Sequence, residues 1–313
     1  MVASRSGRFA RALTDALCLY VIPLSAALLP WRWGFAWLKR LSVISFLHRD
    51  SVASLWAGAA PFFPGADARE WQRRARLLLL VEHTDAWLTL LRSDRWWRRN
   101  VRIDGAFPAP DRANLLLTYH WGAGNWIWRV LRAHGIGAWF LARRPHGRSL
   151  GMTRLSHLYA RWRSFSLRRI GSSGIIFTGD SADAIRQALA AKESIVGMLD
   201  LGVREGQRAA AGTLLGRPVR LPFGLARIAQ EAGAGIALFS VGLDWRSGTR
   251  DLRIETLPGS DAAAAMAAYI RHLDARLRAA PEAWQMWHEA HAIFMPRGEQ
   301  HGDALPSISA SAD

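Results

Sequence analysis

The sequence predicts an α/β protein: a mixed, largely parallel sheet flanked by helices, preceded by an N-terminal helical membrane-anchor region. Three observations carry this. From residue 113 onward, short apolar runs alternate with stretches of helical periodicity, the pattern of strands and covering helices in one layered sheet. Residues 41–100 show helical periodicity alone. At the N-terminus, residues 16–31 read ALCLYVIPLSAALLPW, an apolar run between Asp15 and Arg32.

Composition narrows what such a protein meets. Half of the 313 residues are apolar, enough to close a large core. The formal net charge is +16, carried mostly by arginine, and there are 16 tryptophans. Arginine forks match phosphates and carboxylates, and tryptophan settles where headgroups meet acyl chains. Together they point to an anionic, amphipathic partner, with membrane lipids foremost; a generally basic surface with no such partner is the bland alternative. Nucleic acid would also be attracted, but no nucleic-acid module is recognisable and no such partner is expected. Cys18 is the only cysteine, which excludes an internal disulfide and a cysteine zinc site.

The elements follow in order. Residues 1–40 read as the anchor. The apolar run is shorter than the roughly 20 residues of a comfortable span. Pro23 should bend it, and Trp31, Trp33, Trp37, Lys39 and Arg40 follow as an interfacial belt. A short or tilted span, an in-plane amphipathic anchor and a buried hairpin all remain open. Residues 41–112 form a helical region packed on the core. Its clearest helix is 71–91, with Arg73, Arg74 and Arg76 on a face away from the apolar one. Residues 113–298 form the α/β domain, with strands at 113–119, 137–142, 174–178, 194–199, 235–243 and 252–257. Helices fall at 124–134, 149–165, 181–191 and 261–279, the third capped by Asp180 or Ser181. Residues 299–313 read as a disordered tail.

The chemistry concentrates at 118–126, Thr-Tyr-His-Trp-Gly-Ala-Gly-Asn-Trp. His120 follows a buried strand, where a ring reaches the cleft at the sheet's carboxyl edge. Gly122 and Gly124 let the backbone turn tightly and approach a ligand, and the helix start beyond them offers free N–H groups to an oxyanion. Asp200 ends another predicted strand on the same edge. Arg143, Arg144 and Arg148 follow a third, and Arg161, Arg168 and Arg169 extend the basic wall. His288 and His291, among tryptophans, read as packed structure. No P-loop or H-E-x-x-H occurs, so a P-loop nucleotide site and a zincin-type metal site are not expected.

These segments, taken in order, resemble the late acyltransferases of lipid A biosynthesis, the lauroyl and myristoyl transferases within the wider lysophospholipid acyltransferase group. The resemblance runs through the anchor, helices ending near Glu82, the strand and turn at 115–126, Arg143-Arg144-Pro145 and the strand ending in Asp200. It continues through Gly216-Arg217-Pro218-Val219, Leu221-Pro222-Phe223-Gly224 and Pro281-Glu282-Ala283-Trp284-Gln285-Met286-Trp287-His288. It implies a glycerolipid acyltransferase-like fold with no cofactor. Fatty acyl transfer would run from an acyl-carrier-protein or acyl-CoA thioester to a hydroxyl of a lipid acceptor, a lipid A precursor or another glycolipid or lysolipid. The setting it implies is the cytoplasmic face of a bacterial inner membrane. His120 is then the general base; Gly122, Gly124, Arg143, Arg144, Arg161 and Asp200 bind substrate. The residue five positions after the histidine, acidic in that group, is Asn125 here. Asn125 can hold the ring but cannot neutralise an imidazolium. Three accounts stay open: a second acid such as Asp200 or Asp180 serves, the acceptor needs less activation, or the chain is a lipid-binding relative without turnover.

Overall fold

The computed structural model of the protein describes residues 5–143, 153–179 and 181–295. Its N-terminal third is helical: α1 (Arg5–Ala16), a π-helical turn (Leu17–Val21), α2 (Ile22–Leu28), α3 (Trp31–Leu41), α4 (Arg49–Ala59), α5 (Ala68–Leu91) and α6 (Asp94–Asn100). The π turn widens the ladder just before Pro23, whose missing N–H and bulky ring a regular helix does not accommodate. Asp67 caps α5 by accepting from the N–H groups of Arg69 and Glu70.

Arg73 and Arg74 on α5 pair with Glu70 in the first turn. Arg76 departs from the exposed face expected for it. It is buried and donates to the carbonyls of Leu47 and Ser42, at 2.8 and 2.7 Å. Its guanidinium satisfies the backbone between α3 and α4, a long-range demand that helical periodicity does not encode.

The sheet comprises β1 (Val101–Asp104), β2 (Asn114–Thr118), β3 (Ala138–Arg143), β4 (Ser172–Thr178), β5 (Ser194–Met198), β8 (Gly235–Leu243) and β9 (Arg250–Thr256), in the order β1-β9-β8-β2-β5-β3-β4. A separate hairpin joins β6 (Ala209–Leu214) to β7 (Arg217–Pro222). The helices between are α7 (Ile127–Ala133), α8 (Arg154–Ile170), α9 (Ala182–Ala190), α10 (Gly224–Glu231), α11 (Ala262–Ala279) and α12 (Ala290–Ile293). Strands β8, β2, β5, β3 and β4 are parallel to one another, and β9 runs antiparallel to β8. The fold is therefore α/β with a mostly parallel seven-stranded sheet.

Every residue of β2 is buried. It lies between two parallel neighbours and under helices, which is why it reads as an unbroken apolar run. The chain leaves β2 for β3, β4 and β5 on one side, then crosses to β8 on the other. That reversal makes the carboxyl end of β2 the switch point where α/β sheets open a crevice. Three differences from the sequence reading stand out. Edge strand β1 lies within 41–112, the stretch expected to be a helical region. The β6–β7 hairpin and α10 fill a stretch with no expected element. Helix α7 starts three residues after the expected 124. The expected tail at 299–313, together with Arg144, Arg148 and Asp180, lies outside the described residues.

Candidate active site

β2 and β5 pair in parallel, with Thr118 opposite Met198. His120 and Asp200 each stand two residues beyond that pair, so register alone brings them to one place. The carboxylate of Asp200 takes both polar groups that His120 can offer it. The His120 backbone N–H donates to Oδ2 at 2.8 Å, and ring Nδ1 lies 3.0 Å from Oδ1. Trp284 Nε1 donates to Oδ2 at 2.8 Å, and the Tyr269 hydroxyl is 3.2 Å from Oδ1. That hydroxyl also accepts from Leu199 N at 2.9 Å and reaches the Thr118 carbonyl at 2.9 Å. Tyr269, on α11, thus ties the ends of β2 and β5 together.

Asp200 is wholly buried, whereas the His120 side chain keeps 27% of its surface exposed. With Nδ1–H donated to Asp200, Nε2 carries the lone pair, and it has no hydrogen-bond partner among the described residues. Burial works to lower the His120 pKa. The charge and hydrogen bond of Asp200, helped by Glu289 and Glu82, outweigh it and raise the pKa above the ordinary histidine value. For Asp200, burial pushes upward, but His120 and the Trp284 donor bring the carboxyl below its ordinary value.

The loop after His120 is strapped by the 283–285 segment. Gly122 N–H donates to the Ala283 carbonyl at 2.8 Å, and Gln285 N–H donates to the His120 carbonyl at 2.8 Å. Gln285 Nε2 also donates to the Gly122 carbonyl at 2.8 Å and to Glu82 at 2.5 Å, while Arg163 pairs with the other Glu82 oxygen at 2.5 Å. Gly122 has φ +58°, the left-handed turn for which glycine is suited.

Several expected roles are redistributed. Asn125 does not hold the His120 ring: it is buried, makes no side-chain hydrogen bond among the described residues, and its Nδ2 is unpartnered. The group on Nδ1 is Asp200, because strand register puts the carboxylate there while the two-glycine turn carries Asn125 past it. Asp200 in turn is fully enclosed and has no surface to offer a substrate. The Gly122 N–H is spent on Ala283, so it is no oxyanion donor. The N–H groups of Gly124 and Asn125 donate to nothing among the described residues. Arg143 is exposed at the end of β3, and Arg161, Arg168 and Arg169 are exposed on α8. None has a described contact with His120. His288 and His291 are exposed rather than packed; Trp284 and Trp287 fill the interior instead.

Reasoning from sequence missed Tyr269 and Glu82 as parts of this site. Tyr269 gave a weak signal, a tyrosine on an otherwise alanine-rich helix. Compared with models of known protein families and with curated proteins, the chain matches none.

Proposed function

We propose that the chain is an acyltransferase that moves a fatty acyl group from an acyl-carrier-protein or acyl-CoA thioester to a hydroxyl of a lipid acceptor. The observation that carries this reading is the His120–Asp200 pair: an imidazole oriented by a buried carboxylate, its Nε2 free, at the switch point of the sheet. Nε2 takes the proton of the acceptor hydroxyl as its oxygen attacks the thioester carbonyl. The C–S bond breaks, and the thiolate leaves with the proton returned by the imidazolium. Asp200 holds the tautomer and stabilises the imidazolium between these steps. The free N–H groups of Gly124 and Asn125 are candidate donors to the oxyanion that forms on the carbonyl. A lipid-binding protein of the same fold without turnover is the second reading. Asn125, where the resemblance expects an acid, is the observation in its favour.

The residues Phe9–Leu28 form one helix long and apolar enough to cross a membrane. We infer that it lies in the membrane plane instead. The Asp15 carboxylate accepts from the Thr153 hydroxyl, and the Tyr20 hydroxyl donates to the Leu155 carbonyl at 2.9 Å. Arg92 donates to the Ala27 carbonyl at 2.6 Å, and Ile22, Ala26 and Ala27 are buried. A span would carry α5 and α8 into hydrocarbon with it. The opposite side exposes Phe9, Leu13, Val21 and Leu28, and α8 adds exposed Leu158 and Phe165 beside its arginines. That pairing of apolar and cationic side chains suits an anionic bilayer surface. Cysteines placed at both ends of the helix should react with an impermeant reagent from the same side of sealed vesicles. Labelling from opposite sides would mean a span.

The activity is tested by incubating the membrane-bound protein with acyl carrier protein and coenzyme A thioesters and a panel of lysolipid and glycolipid hydroxyl acceptors. Acylated product would be read by mass spectrometry. Wild type should transfer, and His120→Ala should lose about 10²–10⁴-fold. Transfer unchanged in His120→Ala would sink the mechanism, and no transfer to any acceptor would favour the second reading.

A further inference from the structure

Several buried or half-buried arginines in this fold face carboxylates: Arg250 faces Asp85, Arg163 faces Glu82, and Arg129 faces Asp94. Others, Arg76, Arg92 and Arg217, donate to backbone carbonyls. Two arginines at one cavity do neither among the described residues. Arg276, half-buried on α11, and Arg253, on β9, both line a cavity of about 150 Å³ behind the turn that follows His120. Neither has a carboxylate within ion-pair distance among the described residues. Arg276 donates instead to a neutral group, the Ser240 hydroxyl, at 2.5 Å. Burial, and then the charge of Arg253, hold the Arg276 pKa below its ordinary value, the mark of a cation short of counter-charge. Asp251 also lines the cavity, so the lining carries a net single positive charge.

We propose that this cavity is a binding site for a phosphate-type oxyanion, held between the guanidiniums of Arg253 and Arg276. Guanidinium forks match phosphate oxygens two at a time. The Ser240 oxygen accepts from Arg276, which leaves its O–H to donate to the anion. The Asp251 carboxylate is placed to accept from a protonated phosphate oxygen, which favours phosphate and its monoesters over sulfate. The cavity is well below the roughly 300–1,000 Å³ of sites that enclose whole drug-sized ligands, so it takes the headgroup alone. Trp121 and Gly122 form part of its wall, so an occupant would brace the loop that carries His120. The site does not depend on acyl transfer, and its test reads binding alone.

The full chain in detergent micelles, titrated calorimetrically with inorganic phosphate, should bind one equivalent. Arg253→Gln, at an exposed position that folding should tolerate, and Arg276→Gln should each weaken binding about tenfold or more. Arg154→Gln removes the same charge from exposed α8 and should leave binding unchanged. A parallel titration with micelles containing phosphatidic acid separates the sources. Free phosphate binding means a soluble ligand can enter. Binding only to phosphatidic acid, lost in Arg253→Gln, means the phosphate is lipid-borne. Sulfate binding as tightly as phosphate would remove the role given to Asp251. Binding by neither titrant, or wild-type binding in both arginine variants, would overturn the site.

Discussion

Two aspartates among the described residues are wholly buried, and they are used in opposite ways. Asp200, past the end of β5, receives the His120 backbone N–H, the His120 ring and the Trp284 indole, with the Tyr269 hydroxyl also in reach. Asp85, on α5, faces one side chain, Arg250, whose guanidinium is enclosed by Trp31, Trp96 and Trp97. Several donors hold the Asp200 carboxyl low despite burial; at Asp85, burial wins over Arg250 and pushes the carboxyl up to about 6. The partners differ more than the carboxylates do. Arg250 is sealed from solvent and held by its carboxylate partner. An imidazole can take up and release a proton, and His120 keeps one edge open. The Asp85 pair joins α5 to β9 as structure; the Asp200 pair is the one to which the proposed mechanism gives a proton transfer.

Substituting each aspartate separates those roles. Asp200→Asn should keep the fold while transfer falls by up to about 10⁴-fold, because an amide can fix the wrong tautomer and cannot stabilise an imidazolium. Circular dichroism and the transfer assay read the two outcomes. Asp85→Ala should do the reverse. Leaving Arg250 buried without its acceptor should cost about 3–5 kcal/mol of stability in denaturant titration, with transfer per folded molecule little changed. If both variants lost activity and stability alike, the distinction would collapse.

A smaller effect sharpens the contrast through pH. The base must be neutral to act, and the His120 pKa is raised, so kcat/KM should rise with pH through a midpoint above the ordinary value of about 6.5. Asp200 supplies the largest upward pull against burial. In Asp200→Asn the midpoint of the residual rate should therefore move to lower pH, whereas in Asp85→Ala it should stay.

Much of this arrangement could be read from residues alone. The strand into His120, the strand into Asp200 and helix α11 lie close to where apolar runs and helical periodicity put them. The same reading could nominate His120 and Asp200 separately as strand-end residues. It could offer Asp200 as a partner for His120 but not choose it over Asp180 or Asn125, because the meeting depends on β5 inserting next to β2 after the chain has built β3 and β4, a matter of strand order. Asn125 drew the partner role only through the resemblance, which expects an acid five positions after the histidine. β1 escaped notice because it has four residues, three of them exposed, and so lacks apolar periodicity. The β6–β7 hairpin opens with Ala209-Ala210-Ala211-Gly212, small residues with little strand preference. The strap from Gln285 to Glu82 spans some two hundred residues and has no local signature.

The central claim is that His120 and Asp200 act as one unit in acyl transfer. A double-mutant cycle on kcat/KM measures this most directly, using wild type, His120→Ala, Asp200→Asn and the double variant with one thioester donor and one lipid acceptor. Once the imidazole is gone, Asp200 has nothing to orient, so the double variant should be about as slow as His120→Ala alone. Losses that multiply, with the double variant slower by the product of both factors, would show two independent contributions and contradict the account.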